Sequence, residues 1–193
     1  MLKQIATDEK AELLWISFKQ GDADAYGAIM GRYYNDLFNY GKRFTANEEL
    51  IKDCIQNLFL GLWRNRLTIN DTPSVKNYLL KSIRRLLLKE LNNKNPQEQY
   101  DEAGFEARYN FLLPVDNNII LQERLTEVSF RMRSLIVKLT KRQQEVLYLR
   151  FYMDADCDEI AAVMELSKQT VYNHLHDALK QLKNICPLDY FKV

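Results

Sequence analysis

Residues 139–183 read LTKRQQEVLYLRFYMDADCDEIAAVMELSKQTVYNHLHDALKQLK, and this stretch decides the fold. Thr140 with Gln143 three positions on makes a capping box, and the helix it opens turns Val146, Leu147, Leu149 and Phe151 inward. Asp156 and Glu159 repeat the box ahead of a short helix whose apolar face is Ile160, Ala161, Val163 and Met164. Glu165-Leu166-Ser167 forms the turn, and Ser167 is the N-cap of the helix that follows. In that last helix Val171, Leu175, Ala178, Leu179 and Leu182 recur at helical spacing. Gln169, Thr170, Asn173, His176, Asp177 and Lys180 lie opposite, and all are polar. Two short helices, a tight turn and a hydrogen-bonding outer face describe a helix-turn-helix. On this stretch alone an ordinary helical hairpin remains an open alternative.

The whole chain of 193 residues can hold one domain or two small ones. Six Gly, four Pro and long 3.6-period segments point to an all-α fold of two small helical domains joined by a linker. No apolar run approaches membrane-spanning length, and the N-terminus carries acids where a signal core belongs. Cys54, Cys157 and Cys186 are odd in number and form no CxxC pair, which suits reduced thiols and a cytoplasmic protein. The net charge is +1, but it is unevenly spread: +4 over residues 1–95, −4 over 96–125, and +1 over 126–193. Different parts therefore suit different partners.

Upstream of the opening stretch, the helical period starts at Ile119 with Leu121, Leu125, Val128, Met132, Leu135 and Leu139. Residues 95–118 have no sustained period and read as a linker, although Phe105, Tyr109, Phe111, Leu112 and Leu113 are apolar enough to dock. Nearer the N-terminus, residues 8–20 form an amphipathic helix with Leu13, Leu14, Trp15 and Phe18, broken by Gly21-Asp22. A helix from about Asp24 to Phe44 carries Tyr26, Tyr33, Tyr34, Phe38, Tyr40 and Phe44, mostly as core. Asn47 caps the next helix, EELIKDCIQNLFLGLWRN, whose buried stripe is Ile51, Cys54, Ile55, Leu58, Phe59 and Leu62. Off that stripe lie Asp53, Gln56, Asn57 and the apolar Leu60, a pattern that fits either a helix docked on another protein or a solvated face.

After the loop 64–72, Thr72 caps a helix with Pro73 at its first position. The helix buries Val75, Tyr78, Leu79, Ser82, Ile83 and Leu86, while Leu80, Leu88 and Leu91 point partly outward. Its other side carries Lys76, Asn77, Lys81, Arg84, Arg85 and Lys89 with no acid before Glu90. Such a face is either solvated or a phosphate-binding surface. His174 and His176 point to different sides of one helix and cannot share a metal. With no phosphate loop, nucleophile set or cysteine cluster, neither an enzyme, a cofactor nor a small-molecule substrate is expected.

Two groups of motifs resemble one family. GDADAYGAIMGRYYNDLFNYGKRF, KDCIQNLFLGLW and VKNYLLKSIRRLLLKEL, within about Phe18 to Asn93, look like the first conserved part of bacterial RNA polymerase sigma factors of the small, two-domain extracytoplasmic-function (ECF) group. LTKRQQEVLYLRFY, DEIAAVMELS and TVYNHLHDALKQL, within about Leu121 to Asn184, resemble its final region.

The resemblance implies a region 2-like domain over residues 8–94, a linker over 95–118 and a region 4-like domain over 119–186. Asp53, Gln56, Asn57, Leu60 and Trp63 would bind the clamp helices of core RNA polymerase, with Phe59 also at a matching position. Arg64, Arg66, Asn70, Lys76, Lys81, Arg84, Arg85 and Lys89 would meet the opening minus-ten DNA, with the loop 64–72 holding an unstacked base. Ser167, Lys168, Gln169, Thr170, Tyr172, Asn173, His176 and Lys180 would read the minus-thirty-five element in the major groove. The implied function is promoter-specific transcription initiation, and the family analogy adds a membrane-linked anti-sigma factor. Relatives usually carry arginine near His174 and Asp177, and asparagine where Arg85 stands, so the last domain should bind DNA weakly on its own. A stand-alone helix-turn-helix regulator and a degenerate sigma-like interaction protein are the competing readings.

Overall fold

The computed structural model describes residues 2–93 and 136–185, with side chains for 11–93 and 136–183. The expected linker, the helix from Ile119 to Leu135 and Cys186 lie outside the described residues. All described regular structure is helical, in two units, Met1–Gln97 and Glu98–Val193.

The first unit contains α1 (Leu2–Lys19), α2 (Ala23–Gly41), α3 (Glu48–Arg64) and α4 (Val75–Asn93). Helix α1 runs further toward the N-terminus than the pattern from residue 8 implied, and it buries Ala11, Trp15 and Phe18 on one stripe. Gly21, at φ 96, supplies the left-handed turn that closes α1. Asp22 then caps α2, accepting from the Asp24 and Ala25 N–H groups at 2.8 and 3.1 Å. Ala25, Ile29, Tyr33, Leu37 and Tyr40 face inward at helical spacing. The helix ends at Gly41, earlier than expected, leaving Phe44 buried in the turn beyond it.

Asn47 caps α3 as expected, its side chain accepting from Leu50 N–H at 3.1 Å. The stripe Ile51, Cys54, Ile55, Leu58, Phe59 and Leu62 is fully inside. Where α2 meets α3 the Ile51 side chain packs directly on Gly41: a Cβ there would stand 2.6 Å from Ile51 Cγ2. The cap of α4 is Ser74 rather than Thr72. Thr72 Oγ1 instead donates to the Ser74 carbonyl and accepts its N–H, making a small turn, and Ser74 Oγ accepts from Asn77 N–H at 3.3 Å.

Leu80 and Leu88 do not point outward; both are buried, together with Val75, Leu79, Ile83 and Leu87. The reason is that α4 packs against α1, α2 and α3 at once and needs a broad apolar arc. Tyr78, Ser82, Leu86 and Leu91 are half-buried. Each fully buried Leu, Ile or Phe in this unit contributes about 1.5–3 kcal/mol relative to exposure.

The second unit contains α5 (Lys141–Phe151), α6 (Cys157–Met164) and α7 (Lys168–Ile185). Both expected capping boxes are present, at Thr140/Gln143 and at Asp156/Glu159. In the second, Asp156 Oδ1 accepts from Asp158 and Glu159 N–H, each at 2.8 Å, and Glu159 accepts from Asp156 N–H at 2.8 Å. Helix α6 stops at Glu165, which takes the left-handed conformation at φ 59, and Leu166 N–H returns to the Ala161 carbonyl at 3.1 Å. Ser167 Oγ accepts from Thr170 N–H at 3.0 Å and caps α7. Leu139, Leu147 and Ala178 form a core cluster joined by the partly buried Leu175 and Leu182. Two inward expectations fail here. Phe151 is 63% exposed because it is the last residue of α5, and Leu179 is exposed on α7.

Candidate polymerase and nucleic-acid surfaces

Because α3 buries a dense stripe, its opposite side is fixed by default. Asp53, Gln56 and Asn57 are exposed there, with Leu60 43% exposed among them. Trp63, one turn after Leu60, is half-buried. Its ring lies 5.0 Å from Tyr26 and 6.4 Å from Phe18, inside an aromatic cluster that also takes in Trp15, Phe59 and Tyr78. Burial pushes the Tyr26 phenol above its ordinary pKa. The strip thus has a rigid aromatic end and a free apolar residue flanked by polar ones.

Arg64 is exposed at the last position of α3, and the loop leaves it toward Asn70, also exposed. Arg66 is turned inward: its guanidinium stacks on Trp63 at 4.6 Å and donates to the Trp63 carbonyl at 2.8 Å. It therefore closes the C-terminus of α3 and fixes where the loop begins. On α4, Lys76, Lys81 and Arg84 are half-buried, while Arg85 and Lys89 are exposed.

Between α1 and this loop lies an open groove of about 750 Å³. Trp15, Ile16, Lys19 and Glu12 line it from the helix, and Leu67, Asp71, Thr72 and Pro73 line it from the loop. Leu67 is 78% exposed, and Lys19 pairs with Asp71 at 2.5 Å across the gap. Leu67 and Asp71 belong to the loop expected to hold an unstacked base, whereas Lys19 on α1 has no expected role. Lys19 and Asp71 are separated by 52 positions, so no local pattern signals their pairing.

On α7, Ser167, Lys168, Gln169, Tyr172, Asn173, His176 and Lys180 are exposed, and Thr170 is half-buried. Their side chains are partly organised already. Ser167 and Thr170 hydroxyls lie 2.7 Å apart, and Gln169 Nε2 donates to Asn173 Oδ1 at 3.0 Å. Lys168 reaches back to Asp158 on α6 at 2.6 Å, and this hydrogen bond holds its ammonium above the usual lysine pKa. The turn between α6 and α7 is thereby braced on its outer side. Among the described residues no group of three or more His, Cys, Asp or Glu could hold a metal ion, and no described helix is long and apolar enough to cross a membrane.

A four-helix unit with an exposed strip on its third helix, followed by a helix-turn-helix unit, defines a class, and the comparisons agree with it. Residues 29–96 match sigma-70 region 2 and residues 129–182 match sigma-70 region 4. The chain is 22% identical over 175 residues to the ECF RNA polymerase sigma factor SigW of Bacillus subtilis (strain 168), covering 86% of this chain and 94% of that protein. It is 23% identical over 168 residues to the RNA polymerase sigma factor YlaC of the same organism, covering 83% and 91%. Among solved structures, CnrH in complex with the cytosolic domain of CnrY has the same fold, with a TM-score of 0.60 at 17% identity, over 92% of this chain and 97% of that one. The sigma factor RpoE in complex with the anti-sigma factor NepR, from Bartonella quintana, gives 0.57 at 13% identity, over 83% and 95%. The chain belongs to the ECF family of RNA polymerase sigma factors.

Proposed function

We propose that this protein binds core RNA polymerase and directs it to start transcription at specific promoters. The observation that carries the reading is the pairing, in one chain and in order, of the α3 strip with the exposed polar face of α7. Asp53, Gln56, Asn57, Leu60 and Trp63 form the polymerase contact, on the clamp helices of the large subunit. A free leucine ringed by polar groups, ending in a fixed indole, has the make-up of a protein-docking patch. Arg64, Asn70, Lys76, Lys81, Arg84, Arg85 and Lys89 serve the minus-ten DNA, and Arg66 serves it by holding the loop. The groove beside residues 67–73 receives the unstacked base, whose unstacking costs a few kcal/mol that capture offsets. Ser167, Lys168, Gln169, Thr170, Tyr172, Asn173, His176 and Lys180 read the minus-thirty-five element.

Residues 8–94 are the polymerase-binding and melting domain, 95–118 the linker, and 119–186 the upstream reader. The protein works in the cytoplasm beside polymerase. The neighbours CnrH and RpoE were each captured with another protein, RpoE with an anti-sigma factor, and this supports a regulator of the same kind here, linked to the membrane. Leu80 and Leu88 of α4 are buried and take no part in that contact.

The test is transcription by core RNA polymerase from a pool of random DNA duplexes, with and without the full chain. Starts that appear only with the chain, downstream of a shared pair of sequence elements, support the proposal. Binding to core without initiation points to a degenerate factor, and no binding to core points to a stand-alone regulator; either result overturns it.

A further inference from the structure

The exposed face of α7 is short of positive charge for a surface that meets DNA. Between residues 167 and 180 its exposed cations are Lys168 and Lys180, and its exposed acid is Asp177. Lys168, moreover, is bonded at 2.6 Å to the carboxylate of Asp158 on α6. We infer that Asp158 withholds Lys168 from the DNA backbone, lowering the sequence-independent grip of α7 and leaving its selectivity to base contacts. The inference rests on the reading of α7 as a DNA-reading helix.

Sequence-independent affinity comes from cations that displace counterions from phosphates. A lysine paired with a carboxylate displaces none, because the pair carries no net charge. If the ammonium leaves for a phosphate, Asp158 stays behind as a like charge beside the backbone. Asp158 is well placed to do this. It lies in the first turn of α6, where Asp156 Oδ1 accepts from its N–H and from that of Glu159, each at 2.8 Å. Its carboxylate is thereby fixed opposite Lys168, the first residue of α7 and so at the end of the helix that meets base edges in a helix-turn-helix. Asp156 adds a second negative charge within reach of the same ammonium.

The side chains of Lys168 and Asp158 are 50% and 66% exposed, so the pair is a weak surface contact that reduces binding by a modest factor. Base edges carry no net charge. The two ammonium hydrogens that Asp158 does not use can meet a base acceptor while the pair stays intact. As a mere brace of the turn between α6 and α7, the pair would act with the opposite sign: its loss would loosen α7 and weaken DNA binding.

The experiment titrates labelled duplex DNA of random sequence with the full chain, without polymerase, and reads fluorescence anisotropy at a series of salt concentrations. Asp158→Asn should bind about five-fold more tightly than the native chain at about 0.1 M salt. The slope of log affinity against log salt should steepen by about 0.9, the value for one added phosphate contact. Adding Lys168→Gln to Asp158→Asn should remove the whole gain. Circular dichroism matching the native chain shows that the variants fold. Unchanged affinity and slope in Asp158→Asn overturn the inference. Weaker binding also overturns it and makes the pair a brace, as does a gain that survives Lys168→Gln. If neither the native chain nor Asp158→Asn binds duplex even at low salt, the α7 face is not a DNA surface, and the functional reading fails together with the inference. Native binding without the gain fails the inference alone.

Discussion

Helices α3 and α7 follow the same recipe, one apolar stripe inward and one polar face outward, yet their outward faces differ in kind. On α3 the outer face includes Leu60, 43% exposed among Asp53, Gln56 and Asn57. On α7 the outer side chains are held in place: Gln169 bonds Asn173, Thr170 bonds the cap Ser167, and Lys168 bonds Asp158 of α6. Apolar area is what a protein partner rewards, through burial at the centre of an interface. Held donors and acceptors are what base edges reward, because each correct pair discriminates between bases. The inward stripe of a helix thus says where it packs, and the outward face says what class of partner it meets.

The sharpest way to break this contrast is Leu60→Asp. It should weaken binding to core polymerase about 100-fold, roughly 2.7 kcal/mol, because a charge would be buried at the centre of the patch. Titration of labelled full chain with core polymerase reads the loss; unchanged affinity would show that the α3 face is merely solvated. Next in size is Gly41→Ala, which sharpens the link between core and face. The new methyl group would meet Ile51, which is wholly buried and cannot turn away. Stability of the first unit should fall by about 1–3 kcal/mol. Both tryptophans of the chain, Trp15 and Trp63, lie in this unit, so tryptophan fluorescence, excited at the red edge where tyrosine does not absorb, follows its urea unfolding. On the other face, Asn173→Ala should reduce promoter selectivity about ten-fold while leaving affinity for core polymerase unchanged. If it weakened core binding instead, α7 would belong with α3 as a protein-docking helix.

What the sequence disclosed divides along the same physical line. Caps at Asn47, Thr140, Asp156 and Ser167 were legible because each is a contact between residues two to four apart. The stripe of α3 was legible because its buried residues recur at helical spacing along one face. Helix α4 was misread at Leu80 and Leu88 because it touches three helices, and periodicity cannot say how many sides of a helix are covered. Phe151 was misread because burial at a helix end depends on how far its neighbour extends. The cap of α4 moved from Thr72 to Ser74 because two hydroxyl residues compete for the same role two positions apart. In the candidate site, the outer residues of α3 and α7 could be named in advance, while the groove could not. Its two walls come from α1 and the loop before α4, and nothing local links Lys19 to Asp71. The inward turn of Arg66 onto Trp63 was equally hidden, since a basic residue in a loop looks the same whether it meets phosphate or carbonyl.

The smallest effect concerns how firmly α7 is presented. Glu165 ends α6 at φ 59 and ψ 41, a conformation that costs a residue with a Cβ about 1–2 kcal/mol. Glycine relieves that strain but loses more backbone freedom on folding, by roughly 0.5–1 kcal/mol. The balance favours Glu165→Gly by about 0.5 kcal/mol, enough to slow hydrogen exchange of the α6 and α7 amides about two-fold. The exchange should slow in the second unit and stay unchanged in α1 through α4, whose caps the substitution does not touch. Faster exchange in α6 would mean that Glu165 is not held left-handed in solution. The angle between the two helices of the motif would then be set by Lys168 and Asp158 rather than by the turn.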